Sequence, residues 1–230
     1  MGSPRASSPA VLSDTENYKR TAARAAAALV SDGARVGLGT GSTVAHLLPE
    51  LARRKLSLHC AATSPATARA ARELGLVVEE LDQLGGLDIA IDGADQIDPR
   101  GWIVKGGGGA HTREKIVAAA AERFVVIASA DKLVMSLRPP VPLEILRFGA
   151  HMTLALLGNA VLRDAPASPE GNLIADYLGP VDQPQALAAR LSSTPGVVEH
   201  GLFAPELVSD IVIAGPAGVE HRILTERHDR

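Results

Sequence analysis

The sequence predicts an α/β protein in which a parallel-sheet domain carries a smaller α+β domain inserted before its end. Three observations carry that prediction. Short apolar runs that read as buried strands, residues 35–39, 87–91 and 124–128, alternate with amphipathic or alanine-rich runs that read as helices. Such alternation builds a parallel sheet covered by helices. The texture changes at Arg138-Pro139-Pro140, beyond which the runs follow the order strand, helix, strand, strand, helix, strand, the split βαβ pattern. A last apolar run, Asp210-Ile211-Val212-Ile213-Ala214, is suited to return to the first sheet. The expectation is a discontinuous Rossmann-like domain over residues 14–138 and 205–230, a ferredoxin-like domain over 139–204, and a disordered lead over 1–13, which is small, polar and proline-bearing.

Taken in order, Ser13-Asp14-Thr15-Glu16 has the capping-box pattern and opens an alanine-rich helix that runs to about Val30, before Gly33 stops it. Residues 35–39 form a short strand, and Thr40-Gly41-Ser42-Thr43 leads into a second helix over 44–54, in which Pro49 should produce a kink or move the start. Residues 56–62 are a strand, Ser64 and Pro65 cap and open a third helix, and Gly75 ends it. The strand at 87–91 runs into Asp92-Gly93-Ala94-Asp95, and Trp102-Ile103-Val104 is a strand before Lys105. Four glycines, Gly106 to Gly109, precede a helix over 112–121 and the strand at 124–128. In the insertion, 141–146, 160–163, 173–177 and 197–202 read as strands, and 151–157 and 185–191 as helices. The charged tail, 225–230, is expected to fray.

Composition narrows the function. A formal charge of −3 and 3% aromatic residues provide neither a cationic field nor stacking platforms for nucleic acid. No run approaches the roughly 18 apolar residues of a membrane span. The single cysteine, Cys60, excludes an intramolecular disulfide and fits a reducing, cytoplasmic compartment. The seven histidines are too dispersed to suggest a metal pair, so no metal is expected.

Four stretches bear chemistry. Lys105-Gly106-Gly107-Gly108-Gly109 is a cation followed by backbone free to turn its N–H groups toward a bound oxygen, and it reads equally as a flexible loop. Glu114 falls in the first turn of the next helix, where the dipole favours an ionised carboxylate, which makes it a candidate base. Thr40 to Thr43 follow a strand and open a helix. The spacing fits neither a dinucleotide fingerprint nor a P-loop, which leaves a site for one phosphate or ordinary helix caps. Asp92 and Asp95 place two carboxylates after a strand, either a pair with divergent pKa values or a solvated turn. Lys132, after Ser129-Ala130-Asp131, also lies at a strand end, on the ligand side of such sheets.

Together, Gly39-Thr40-Gly41-Ser42-Thr43, Asp92-Gly93-Ala94-Asp95, Lys105-Gly106-Gly107-Gly108 with Thr112-Arg113-Glu114, and Lys132 resemble the motifs of the A-type ribose-5-phosphate isomerase family, in order and at similar separations. The likeness runs from about Lys19 through Val141-Pro142-Leu143-Glu144 and Gly171-Asn172 to Gly201-Leu202-Phe203-Ala204. By that resemblance the chain interconverts D-ribose 5-phosphate and D-ribulose 5-phosphate without a cofactor, in the nonoxidative pentose phosphate pathway, through a cis-enediolate. Glu114 matches the general base, and Asp92 the residue that assists ring opening. Asp95 matches the holder of sugar hydroxyls, and Lys105 with Gly106, Gly107 and Gly108 the donors to the enediolate oxygens. Gly93 and Ala94 lie in the same substrate-binding turn; Thr40, Gly41, Ser42 and Thr43, with Lys19 and Lys132, match phosphate-binding positions. The resemblance also implies a homodimer or homotetramer. Two positions depart from it: Gln96 stands where the family usually has glutamate, and Ser129 where it usually has aspartate. Loss of charge at 96 is expected to alter how Asp95 or Lys105 is held.

Overall fold

The computed structural model describes residues 14–224; the lead, Ser13 of the capping box and the charged tail lie outside them. In chain order the elements are α1 (Asp14–Ala27), β1 (Arg35–Leu38), α2 (Ser42–Arg53), β2 (His59–Ala62), α3 (Pro65–Glu73), β3 (Val77–Val78), the single turn α4 (Leu81–Leu84), β4 (Leu87–Gly93), β5 (Gln96–Ile97), β6 (Ile103–Val104), α5 (His111–Ala120), β7 (Ala121–Ser129), β8 (Val141–Ile145), α6 (Ala150–Leu157), β9 (Ala160–Leu162), β10 (Leu173–Tyr177), α7 (Pro184–Ser193), β11 (Val197–His200), β12 (Leu202–Phe203), β13 (Asp210–Gly215) and β14 (Gly218–Ile223).

The main sheet has the order β14-β13-β7-β4-β1-β2-β3 and is parallel except for β14. Its strands carry the near-continuous apolar runs of a sheet covered on both faces. Ala22, Ala23 and Ala26 of α1 and Leu47, Leu48 and Leu51 of α2 pack on one face; Val117 and Ala118 of α5 and Phe124 of β7 fill the other. From β1 the chain winds outward through β2 to β3, then returns to lay β4 on the other side of β1. That reversal makes β1 and β4 a topological switch point, and the crevice beyond their carboxyl ends is where such sheets bind ligands.

The second sheet, β11-β8-β10-β9, is antiparallel, and with α6 and α7 it has the ferredoxin-like strand order. Its own core is built on Leu143, Ile145, Leu157, Ala175, Leu187 and Leu191.

Local chemistry accounts for most boundaries. The Ser64 hydroxyl accepts the Thr67 N–H at 3.1 Å and Pro65 stands at the first position of α3; such a cap is worth about 1 kcal/mol. Pro49 lies inside an uninterrupted α2, which begins at Ser42, two residues earlier than expected. Buried Leu47, Leu48 and Leu51 flank the proline and hold both turns against the core.

One strand expectation is corrected and another is refined. Residues 197–202 are not one strand: Gly201 breaks the run, donating its N–H to Pro142 O at 2.7 Å and accepting from Lys105 N at 2.8 Å. A Cβ at Gly201 would lie 2.1 Å from Lys105 O, so only glycine allows this approach. Residues 103–104 do form a strand, but outside the main sheet. They pair with β5 and β12 in a small antiparallel sheet, β12-β6-β5, which delivers Lys105 to the switch point.

Candidate active site

The switch point is built around Asp92, near the end of β4. Its Oδ1 accepts the N–H of Gly93 at 2.6 Å and of Thr40 at 3.2 Å, so one carboxylate ties the ends of β1 and β4 together. A Cβ at Gly39 would fall 2.0 Å from Asp92 Cγ, which explains a glycine there. Thr40 is held from below: its hydroxyl lies 2.7 Å from Thr63 Oγ1 and 3.4 Å from Thr67 Oγ1, and Thr67 donates to Gly39 O at 3.0 Å. Sequence reading missed Thr63 and Thr67, since isolated threonines beside a helix cap carry no signal of their own.

Lys105 is 3% exposed, and its ammonium meets three oxygens: Gly93 O at 2.5 Å, Asp92 Oδ2 at 3.0 Å and Glu114 Oε2 at 3.2 Å. Neither carboxylate oxygen has a well-directed hydrogen bond, so each meets the ammonium mainly by charge. Glu114 lies in the first turn of α5, also 3% exposed. That turn is fixed by Thr112, whose hydroxyl donates at 2.5 Å to Glu144, a fully buried carboxylate on β8 that also accepts from Ser168 and Asn172.

Two carboxylates share one cation away from water, and their titration reflects it. Burial, reinforced by Asp92 and only partly offset by Lys105, pushes Glu114 up to about 8. Burial also raises Asp92 against the pull of Lys105. For Lys105 burial alone would favour the neutral amine, but Asp92 and then Glu114 outweigh it and hold the ammonium above the usual lysine range. The outcome is a fixed cation beside a carboxylate whose proton affinity is near neutral, the condition for proton transfer in either direction.

A cavity of about 230 Å³ opens in front of this cluster. It is lined by Lys105, Gly106, Gly107, Gly108 and Glu114 together with Thr40, Gly41, Ser42, Thr43, Gly93, Ala94, Asp95 and Lys132. Gly106 and Gly109 have φ of 103° and 73°, and Gly109 N–H returns to Gly106 O at 3.1 Å, closing a tight turn. Gly107 N–H donates to Asp95 Oδ2 at 2.9 Å. Where α2 begins, the cap is Gly41, with no side-chain cap bond, so Ser42 and Thr43 sit in the first turn itself. Backbone N–H groups at a helix start, together with two hydroxyls, form a site for an anion.

Asp92 is buried behind this cavity and reaches it through Lys105. Lys19 is not in its wall: the ammonium lies 2.6 Å from Glu16, whose other oxygen lies 2.9 Å from His46. Gln96 turns away from Asp95 and Lys105, its amide engaging Arg138 backbone N and O at 3.0 and 2.8 Å. The Ser129 hydroxyl is buried and has no partner among the described residues. A larger cavity, about 410 Å³, lies against α3, α4 and α5, but none of the charged side chains lining it is buried, so the chemistry belongs to the smaller one.

Residues 59–218 match the family model described as ribose 5-phosphate isomerase A (phosphoriboisomerase A). The chain is 46% identical to the ribose-5-phosphate isomerase A of Roseiflexus castenholzii, over 90% of this chain and 95% of that protein. Its fold is similar to the crystal structure of ribose 5-phosphate isomerase A from Neisseria gonorrhoeae, with a TM-score of 0.87 and 30% identity over 92% of this chain and 98% of that one. It is also similar to a D-ribose-5-phosphate isomerase solved with phospho-erythronic acid, with a TM-score of 0.86 and 31% identity over 92% and 100% of the two chains.

Proposed function

We infer that this chain, which belongs to the ribose 5-phosphate isomerase A family, interconverts D-ribose 5-phosphate and D-ribulose 5-phosphate by moving a proton between C1 and C2. The observation that carries the reading is the buried Glu114–Lys105–Asp92 cluster, whose Glu114 and Lys105 line one small cavity together with the start of α2. In this reading the phosphate docks at Thr40 to Thr43 with Lys132. Anchoring there orients the open-chain sugar and spends remote binding energy on alignment at the reacting carbons. Glu114 takes the proton from one carbon and returns it to the other, while Lys105 and the glycine N–H groups hold the oxygens of the cis-enediolate.

Asp95 holds sugar hydroxyls. Asp92 assists ring opening and keeps the ammonium of Lys105 charged. Lys19 takes a lesser part in phosphate binding, since its ammonium sits on Glu16 outside the cavity wall.

A homo-oligomer, dimer or tetramer, belongs to the same reading. Phe148, Met152, Leu156, Val161 and Leu162 expose apolar surface around α6 and β9, a surface suited to burial against another copy. Cytoplasmic placement fits the lone buried thiol of Cys60, which burial pushes up to about 12 and so keeps unreactive. No helix among the described residues is long and apolar enough to cross a membrane.

The test is proton NMR of ribose 5-phosphate incubated with the protein in D₂O. Ketose should form with deuterium entering at C1 or C2. Binding of the sugar phosphate with neither ketose nor exchange would instead indicate a binding module.

The pH dependence follows from the base. Glu114 accepts a proton only when ionised, and its raised pKa keeps it protonated below about 8. As pH falls below that value, kcat/KM should drop about tenfold per pH unit. A limb centred in the ordinary carboxylate range would mean that burial beside Asp92 does not hold the base above its usual range.

A further inference from the structure

The glycine turn has no side chains of its own to hold it, and something outside it must select one arrangement of freely rotating peptides. Arg163, just past β9, does this. Its Nε and Nη2 fork onto Asp176 of β10 at 2.9 and 2.5 Å, and its Nη1 donates to both Gly106 O at 3.2 Å and Gly107 O at 3.0 Å. The fork is stiff because β9 and β10 are paired and Arg163 N–H donates to Ile174 O at 2.9 Å.

In a trans peptide the C=O and the following N–H point in opposite directions. Drawing Gly106 O toward Arg163 therefore sends Gly107 N–H the other way, where it meets Asp95 on the cavity wall. Drawing Gly107 O toward Arg163 does the same to Gly108 N–H. That donor has no acceptor among the described residues, although Gly108 lines the cavity.

We propose that Arg163 is a positioning residue: it locks the Gly107–Gly108 peptide so that the Gly108 N–H is presented to the oxygen that gains charge during isomerisation. The inference rests on the isomerase reading above. Asp176 neutralises the guanidinium, so Arg163 acts through geometry more than through its field.

The experiment compares Arg163→Met, Arg163→Ala and Asp176→Asn with the wild type, using turnover and the calorimetric affinity for phospho-erythronic acid, whose carboxylate places oxygens where the enediolate would. An oriented donor acts mainly in the transition state, so kcat in Arg163→Met should fall about 10- to 100-fold while KM stays within about threefold. Affinity for the acid should fall with kcat, affinity for inorganic phosphate should hold, and added guanidinium should restore part of the rate of Arg163→Ala. If Arg163→Met does not fold, Asp176→Asn, which keeps the arginine but loosens the fork, should lower kcat about 3- to 10-fold.

Unchanged kcat and unchanged affinity for the acid in folded variants would overturn the inference, as would equal losses in phosphate affinity. The affinity arm does not need turnover. A wild type that binds the acid and does not isomerise refutes the isomerase reading alone, and Arg163 is then judged by whether its variants weaken binding of the acid.

Discussion

Glu114→Gln is expected to bind ribose 5-phosphate about as tightly as the wild type and to lose roughly 10²- to 10⁴-fold in kcat, the usual worth of a positioned base. The amide is isosteric with the carboxyl group and meets the same neighbour, Lys105 Nζ, now 3.2 Å from Oε2. It cannot accept a proton from carbon. The phosphate end of the cavity, Thr40 to Thr43 and Lys132, is untouched, so KM should hardly move.

Stability offers an independent check. With a folded-state pKa near 8 against an ordinary value of 4.5, native Glu114 binds more protons than unfolded Glu114 between those values. Its contribution to stability is therefore present at low pH and lost as pH rises toward 8. A neutral amide avoids that loss, so the variant's thermal midpoint should match or exceed the wild type's at pH 8. Near-normal turnover in a folded variant would sink the assignment of the base.

Much of the fold was legible because burial on both faces of a parallel sheet leaves unbroken apolar runs, as in Leu87–Ile91 and Phe124–Ala128, and because Ser64-Pro65 is a cap with a mechanism. What escaped notice depended on partners distant in sequence. The split at Gly201 arises from its contacts with Lys105 and Pro142, neither of which is local. The edge strand β14 shows only a weak alternation in Val219-Glu220-His221-Arg222-Ile223, and its pairing with β13 supplies the rest.

The site divides the same way. Glu114, Lys105 and the residues from Thr40 to Thr43 stand at helix starts and strand ends, positions a sequence reader can find. The sharing of one ammonium by Asp92 and Glu114, the withdrawal of Lys19 onto Glu16, and the clamp of Arg163 on the glycine carbonyls need three dimensions. Gln96 shows the limit from the other side. A departure that read as a change in the active site's charge is an amide that holds the Arg138 backbone through both a donor and an acceptor, which a glutamate could not do when ionised.

Lys105→Met should have the second large effect, with a signature distinct from the loss of the base. The methionine chain occupies similar space but removes the only cation that meets both Asp92 Oδ2 and Glu114 Oε2 among the described residues. Two consequences follow. Losing a donor to the enediolate should lower kcat by about 10²- to 10³-fold. The two carboxylates, now buried without a counter-charge, should also both move further toward the protonated form, because burial raises them and Lys105 opposes that rise in the wild type.

The limb in kcat/KM should therefore shift above about 8, and part of the lost rate should return as pH is raised; a glutamine at 114 has no such limb to shift. The fold should suffer in the same direction. Removing one partner of a buried ion pair costs about 3–5 kcal/mol when the other stays charged, so the fall in thermal midpoint should grow as pH is raised beyond about 8, where Glu114 ionises with no counter-charge beside it. A pH profile that keeps the wild-type limb while kcat falls would mean that Lys105 stabilises the transition state without tuning Glu114, and would separate two duties that the 3.0 and 3.2 Å contacts now assign to one ammonium.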